Sequence, residues 1–270
     1  MLRPAPGRWR RSRSIAVGVA AVAAALTAVV VWSPLLDLVG VAGPPSTVAE
    51  LAAALPSADT LSPALEATWD RHGWPVTRGT GPATAAEQEA AFRIGVRVVE
   101  LDVALAAGDR PLATRLTHQI EGLLAPLPGA DPLRVLYAGD RGVRGRLADG
   151  ESPAALLTLN RQGDELLPPD EGGDFPGFVD GSWYELGKWA GAARLAAVAG
   201  DGGFFASRPN RRFLRNVEAD GLPPRVAESI ARIRELSAGE PTLRFPEIAE
   251  ELRILVAVAG GGEEPSPPPR

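Results

Sequence analysis

TAAEQEAAFRIGVRVVELDVALAAGD, residues 84–109, is the stretch on which the fold turns. Phe92, Val96, Val99, Val103 and Ala106 recur at the spacing of one helical face. Ile94, Val98, Leu101 and Leu105 cover a further arc, and Glu89, Arg93, Arg97 and Glu100 form a single polar stripe. A helix that is apolar around most of its circumference belongs in the middle of a bundle. It is predicted over about Thr84 to Ala107. Gly108 then supplies the left-handed residue that ends a helix, and Asp109 the N-cap of the next.

The same punctuation returns 92 residues later, since Gly95 precedes Gly108-Asp109 by the interval at which Gly187 precedes Gly200-Asp201. At this displacement Phe92 meets Tyr184, Ile94 meets Leu186, Ala104 meets Ala196 and Ala107 meets Ala199. We read a duplicated helical hairpin, with its second long helix from about Asp180 to Ala199. Chance matching in an Ala/Gly-rich chain is the competing reading. The period is too long for a solenoid, whose units run about 33–47 residues. The two hairpins should therefore pack with accessory helices into one bundle. Gly95 and Gly187, midway along buried helices, each cost about 1 kcal/mol relative to alanine. Close approach of the two helices at those glycines is the expected compensation.

With Phe92 at zero on a helical wheel, the polar stripe spans about 80–140°, whereas Asp102 falls at about 280°, inside the apolar arc. The residue in the equivalent place on the second helix is Arg194. The sequence thus predicts a mostly buried ion pair between Asp102 and Arg194. Such a pair sets register and adds little net stability.

Further out, the periodicity stays helical and strand signals are nearly absent. A helix presenting Leu112, Leu116 and Ile120 follows Asp109 and ends at Pro126–Gly129. Beyond a Gly/Arg-rich stretch at 131–150, a short helix runs from Pro153 to Leu167. After the second long helix, Phe204 and Phe205 open an element that Pro209 interrupts. Amphipathic helices over Pro223–Ser237 and Phe245–Val258 close an all-α domain assigned to 63–259, and the Gly/Glu/Pro tail, 260–270, reads as disordered.

The N-terminus sets the compartment. Arg3, Arg8, Arg10, Arg11 and Arg13 lie in a basic segment, 1–14, before an uncharged run from Ile15 to Val31 flanked by Trp9 and Trp32. Continued through Val39, the run reaches the roughly 20 residues a bilayer demands, so 15–39 reads as a transmembrane signal-anchor helix. The positive-inside rule keeps the amino terminus in the cytoplasm of a bacterial cell. The Pro/Gly/Ala-rich stalk, 40–62, and the body then lie in the periplasm or outside the cell. The alternative is a cleaved signal peptide, but the best cleavage candidate, Gly40-Val41-Ala42, lies well downstream of the apolar run.

Composition narrows the chemistry. The chain holds no cysteine, which excludes disulfides, thiolate metal sites and cysteine nucleophiles. Lys188 is the sole lysine. The formal charge of −5 becomes −10 once the five N-terminal arginines are set aside, so no nucleic-acid partner is expected. His72 and His118 are the two histidines, and neither has a second metal ligand at a characteristic spacing. No nucleophile-elbow, Walker or dinucleotide fingerprint occurs. No catalytic residue, cofactor or metal is assigned.

Two arginine sets could present donors to an anion: Arg134, Arg141, Arg144 and Arg146, and Arg208, Arg211, Arg212 and Arg215. In an acidic domain they read first as solvated faces paired with Asp140, Glu218 or Asp220. His72 beside Trp69 and Trp74 reads as the packed end of a domain. The function expected is a non-enzymatic, membrane-anchored interaction module, an assembly factor or accessory subunit with protein partners at the membrane. The alternative is a helical sensor or small-ligand domain, with a cleft between the hairpins near Trp183, Tyr184 and Trp189.

Overall fold

Arg194 and Glu100 meet across the centre of the molecule, and that contact shows how its two long helices are arranged. The structure is a computed structural model that describes residues 57–69, 83–127, 130–165, 181–217, 222–238 and 244–261. The segment read as a membrane anchor, 15–39, lies outside the described residues, as do His72 and Trp74. Among the described residues every regular element is a helix, and no helix is long and apolar enough to cross a membrane.

In chain order the helices are α1 (Ala58–Trp69), α2 (Ala83–Ala106), α3 (Arg110–Leu124), α4 (Asp131–Ala138), α5 (Val143–Ala148) and α6 (Pro153–Glu165). There follow α7 (Gly181–Ala199), α8 (Gly202–Ala206), α9 (Arg208–Asn216), α10 (Pro224–Ser237) and α11 (Phe245–Ala259). Helix α1 begins at Ala58, inside the stretch read as stalk. The Ser57 carbonyl accepts from Thr60 and Leu61 to start it, and Leu61 and Leu65 bury its inner face. Order also runs past the expected start of the tail. Gly260 is buried, and its carbonyl accepts from the Arg93 guanidinium.

Helices α2 and α7 form the axis of the bundle and run parallel, because their contacts climb together: Phe92 with Gly187, Val96 with Gly191, Glu100 with Arg194. The crossing is reciprocal. A Cβ on Gly95 would strike the Tyr184 carbonyl oxygen and sit 2.8 Å from the Lys188 nitrogen; one on Gly187 would strike the Phe92 carbonyl oxygen and sit 2.8 Å from its carbon. Phe92 and Tyr184 are themselves equivalents at the 92-residue displacement, so the two contacts are one contact repeated by a pseudo-twofold along the helix axes.

The caps repeat as well. Gly108 and Gly200 both have φ +72°, and both close a Schellman motif: Gly108 to Leu105 and Asp109 to Ala104, Gly200 to Ala197 and Asp201 to Ala196. Asp109 then caps α3 by accepting from the Leu112 amide, and Asp201 caps α8 by accepting from Phe204 and Gly203.

The duplication extends beyond the hairpin that the sequence suggests. Helix α6 recurs as α11, with Leu156 and Ile248 both buried at the 92-residue displacement. Between them the displacement is 93: buried Thr117 matches buried Asn210, Ile120 matches Phe213, Leu133 matches Val226, and Val143 matches Leu236. The extra residue enters where Ser207-Arg208-Pro209 splits the counterpart of α3 into α8 and α9. Ser207 re-caps the chain there by accepting from the Asn210 amide at 3.2 Å, and Pro209 sits in the first turn, where its missing N–H costs nothing. Each half is therefore a long axial helix, a capped second helix, a connector region and a closing helix.

Candidate functional site

The polar stripe of α2 is buried rather than solvated. Arg93, Arg97 and Glu100 are exposed by 8%, 6% and 1%, which makes their pairing obligatory. One oxygen of Glu100 accepts from Arg194 on α7 and the other from Arg97 a turn away on its own helix. Burial pushes the Arg194 guanidinium below its ordinary value; the Glu100 charge opposes that shift and Arg97 adds to it. Burial lowers Arg93 too, with Glu89 opposing and Arg97 adding. Arg93 donates to the Gly260 carbonyl at the end of α11, where a cation also complements the helix dipole.

The predicted partner of Arg194 is therefore corrected: it is Glu100, not Asp102. Asp102 is half-buried and accepts from the side-chain amide of Asn160 on α6 at 2.8 Å. The reason is geometric. In a parallel pair related by a twofold along the axes, only residues on the axis meet their equivalents, as Gly95 and Gly187 do, and residues off it, such as Asp102 and Arg194, lie on opposite flanks of the seam. Arg194 therefore faces the flank of α2 that carries Glu100, while Asp102 faces away toward α6.

The aromatic residues expected around a cleft fill the core instead. Trp183, Tyr184 and Trp189 are exposed by 6%, 2% and 0%. Phe92 meets Trp183 edge-on with ring centroids 6.4 Å apart, and Trp189 stacks on Phe213 at 5.1 Å. Trp189 Nε1 donates to Asn210 Oδ1 at 2.9 Å, and Asn210 Nδ2 donates to the Phe205 carbonyl at 3.1 Å, so this buried amide is satisfied at both ends. Lys188 is buried with its ammonium 5.3 Å from the Tyr184 ring centroid.

The two arginine sets diverge. Arg134 donates to Asp131 at 2.5 Å and to the Leu124, Ala125 and Leu127 carbonyls, closing the end of α3. Nη1 of Arg144 lies 2.9 Å from both carboxylate oxygens of Glu121, and Arg146 pairs with Glu151. Within that set Arg134 and Arg144 tie α4 and α5 to α3, and Arg141 is exposed. His118 is exposed and has Glu121 3.5 Å from its Nδ1. Among the described residues no three His, Asp or Glu side chains gather as a metal site.

Three of the second set line a cleft of about 450 Å³ between α9 and α10, Arg208, Arg211 and Arg215, joined from α10 by Arg234; Arg212 is not part of its lining. The floor is apolar, from Phe205, Leu214 and Ala238. Arg208, Arg211 and Arg215 fall at i, i+3 and i+7, the repeat of one helical face. None of the three has a carboxylate partner among the described residues, and the acids of α10 are engaged elsewhere, Glu235 with Arg232 and Glu228 with Arg225. Arg234 donates to the Leu214 and Val217 carbonyls at the end of α9. The α9 arginines share a helical face in the sequence, but no sequence signal brings Arg234 to them from another helix.

No protein-family model, curated protein or solved structure matches this chain, so its function is argued from the chain itself.

Proposed function

We propose that the protein is a non-enzymatic helical binding module, tethered at the outer face of a bacterial membrane by residues 15–39, an accessory or ligand-sensing component rather than a catalyst. The observation that carries this reading is a break in pseudo-symmetry. The two halves repeat one another through axis, caps and closing helix, and they part company where α3 is continuous but its counterpart splits into α8 and α9 beside an open cleft. Departures from an otherwise consistent local pattern tend to mark the functional part of a fold.

Two further points favour recognition through that cleft over docking through an apolar face. At the seam between the halves backbones touch at Gly95 and Gly187 and Phe92 meets Trp183, while Trp189 is buried against Phe213 within the second half; the large hydrophobics exposed among the described residues, Val135 and Val198, are isolated from one another in sequence and in element. Native mass spectrometry of the full-length chain, released from its own membranes in mild detergent, tests the proposal. The result expected is a membrane-fraction protein carrying a non-covalent companion, protein or small molecule, in defined stoichiometry. A bare chain recovered from the soluble fraction would overturn both the tether and the binding role.

A further inference from the structure

We infer that the α9–α10 cleft is a binding site for a small organic polyanion carrying at least two phosphate or carboxylate groups. This rests on the binding-module reading above and names the ligand class for the same site.

The argument begins from the other half of the molecule. At the 93-residue displacement Leu214 occupies the place of Glu121, and Ser237 the place of Arg144. In the first half those two positions hold a carboxylate and a guanidinium that close the α3–α5 junction against each other at 2.9 Å. In the second half the acid has become leucine and its cation serine. The junction is left open, and among the described residues no carboxylate pairs with the arginines that line it; Glu218 and Asp220, the partners expected from sequence, lie outside the described residues. The Ser237 hydroxyl oxygen is buried within the lining and has no hydrogen-bond partner, a donor waiting for an acceptor. Among the described residues, positive charge gathers around an unsatisfied donor without a counter-charge, and an anion from outside the chain would supply one.

Size and spacing set the class. About 450 Å³ lies within the range of small-molecule sites, roughly 300–1,000 Å³. Arg208 to Arg215 spans two helical turns, roughly 10 Å of axis. One tetrahedral anion cannot engage guanidinium groups across that length together with Arg234, but two anionic groups can. Guanidinium forks match the paired oxygens of phosphate and carboxylate. The floor of Phe205, Leu214 and Ala238 supplies an apolar surface for the organic part that joins those groups.

Inorganic pyrophosphate is the probe, titrated calorimetrically into the full-length chain in non-ionic detergent. The expected result is saturable one-to-one binding, weakened at least tenfold in Arg211→Glu and in Arg215→Glu and unchanged in Arg141→Glu, an exposed arginine of the first half. Orthophosphate should bind at least tenfold more weakly than pyrophosphate. Two arms identify the source of the anion: in nanodiscs containing cardiolipin, whose headgroup joins two phosphates, but not in those of phosphatidylcholine alone, lipid headgroups would compete the pyrophosphate away if lipid is the occupant; equal binding in both discs assigns a soluble ligand. Pyrophosphate binding that is absent, or indifferent to the α9 substitutions, overturns the inference. Should pyrophosphate fail to bind while native mass spectrometry still finds a companion in defined stoichiometry, the ligand class falls and the binding-module reading survives; if there is neither pyrophosphate binding nor a companion, both fall.

Discussion

Replacing Gly187 by alanine sets two physical effects against each other, and the structure states which one wins. On helix propensity alone the substitution should stabilise α7 by about 1 kcal/mol. Against that, the new Cβ would run into the Phe92 carbonyl oxygen and lie 2.8 Å from its carbon. These are backbone atoms of a buried helix and have no rotamer to escape into. To clear them α2 and α7 must part locally by roughly 1 Å, which loosens the Phe92–Trp183 contact and stretches the Glu100–Arg194 pair. Overpacking of this kind costs about 1–3 kcal/mol, and a backbone obstruction places it at the upper end. The net expectation is a loss of about 2 kcal/mol, or roughly 4–8 °C in Tm for a domain of this size.

Gly122→Ala is the matched control, because it lies within α3 and its Cβ would meet nothing within 4 Å. It should stabilise by up to about 1 kcal/mol. Thermal melts of the full-length chain followed by far-UV circular dichroism give both shifts. Gly95→Ala should match Gly187→Ala, and the double variant should cost less than the sum, since helices already parted by the first methyl accept the second more cheaply. If Gly187→Ala raises Tm as Gly122→Ala does, the crossing described here is wrong.

Other outcomes follow from the same geometry. Glu100→Ala leaves Arg97 and Arg194 buried without their shared carboxylate and should cost about 3–5 kcal/mol, read by denaturant titration. Asp102→Ala removes an acceptor from the Asn160 amide, which keeps the Val98 carbonyl, and should cost less than Glu100→Ala, about 1 kcal/mol through that bond, by the same titration. Asn210→Ala orphans the indole N–H of Trp189 and the Phe205 carbonyl, and a loss of about 1–3 kcal/mol should accompany a change in tryptophan fluorescence. Asp109→Ala and Asp201→Ala remove equivalent caps and should each lower stability by about 1 kcal/mol, checked by paired melting curves.

What the residues reveal and what they conceal can be traced to the range of each interaction. The ends of α2 and α7 were readable because caps are local: a glycine in the left-handed region followed by aspartate is written in two adjacent letters, and both copies have the same φ. The polarity of α2 was readable too, but the fate of its stripe was not, because burial of Arg93 depends on where α11 ends. The wheel placed Asp102 in the apolar arc and left open which flank of α7 it would face. That choice belongs to the hand of the crossing, a tertiary fact, and it sends Arg194 to Glu100.

The full extent of the duplication is hidden by one inserted residue at Ser207–Pro209 and one compensating deletion between Leu236 and Ile248. A fixed displacement of 92 matches α2 with α7 and α6 with α11 but loses step at Ser207, where the helix breaks, so the intervening matches appear only once burial is known. The cleft was half visible, since α9 announces its arginines at helical spacing. Its other wall is Arg234 and Ser237, brought in by α10, and the replacement of the Glu121–Arg144 pair by Leu214 and Ser237 is evident only by comparison of the two halves.

Locating a bound oxyanion tests the central claim most directly: that the two halves share a core and differ by an anion site. Crystals of the full-length chain soaked in sodium tungstate would give anomalous difference density marking each bound anion. The account predicts the strongest peak between α9 and α10, within hydrogen-bonding reach of Arg211 and Arg215, and none at the α3–α5 junction that Glu121 closes. A cleft without density, or a stronger peak beside Arg144 than beside Arg211, would contradict it.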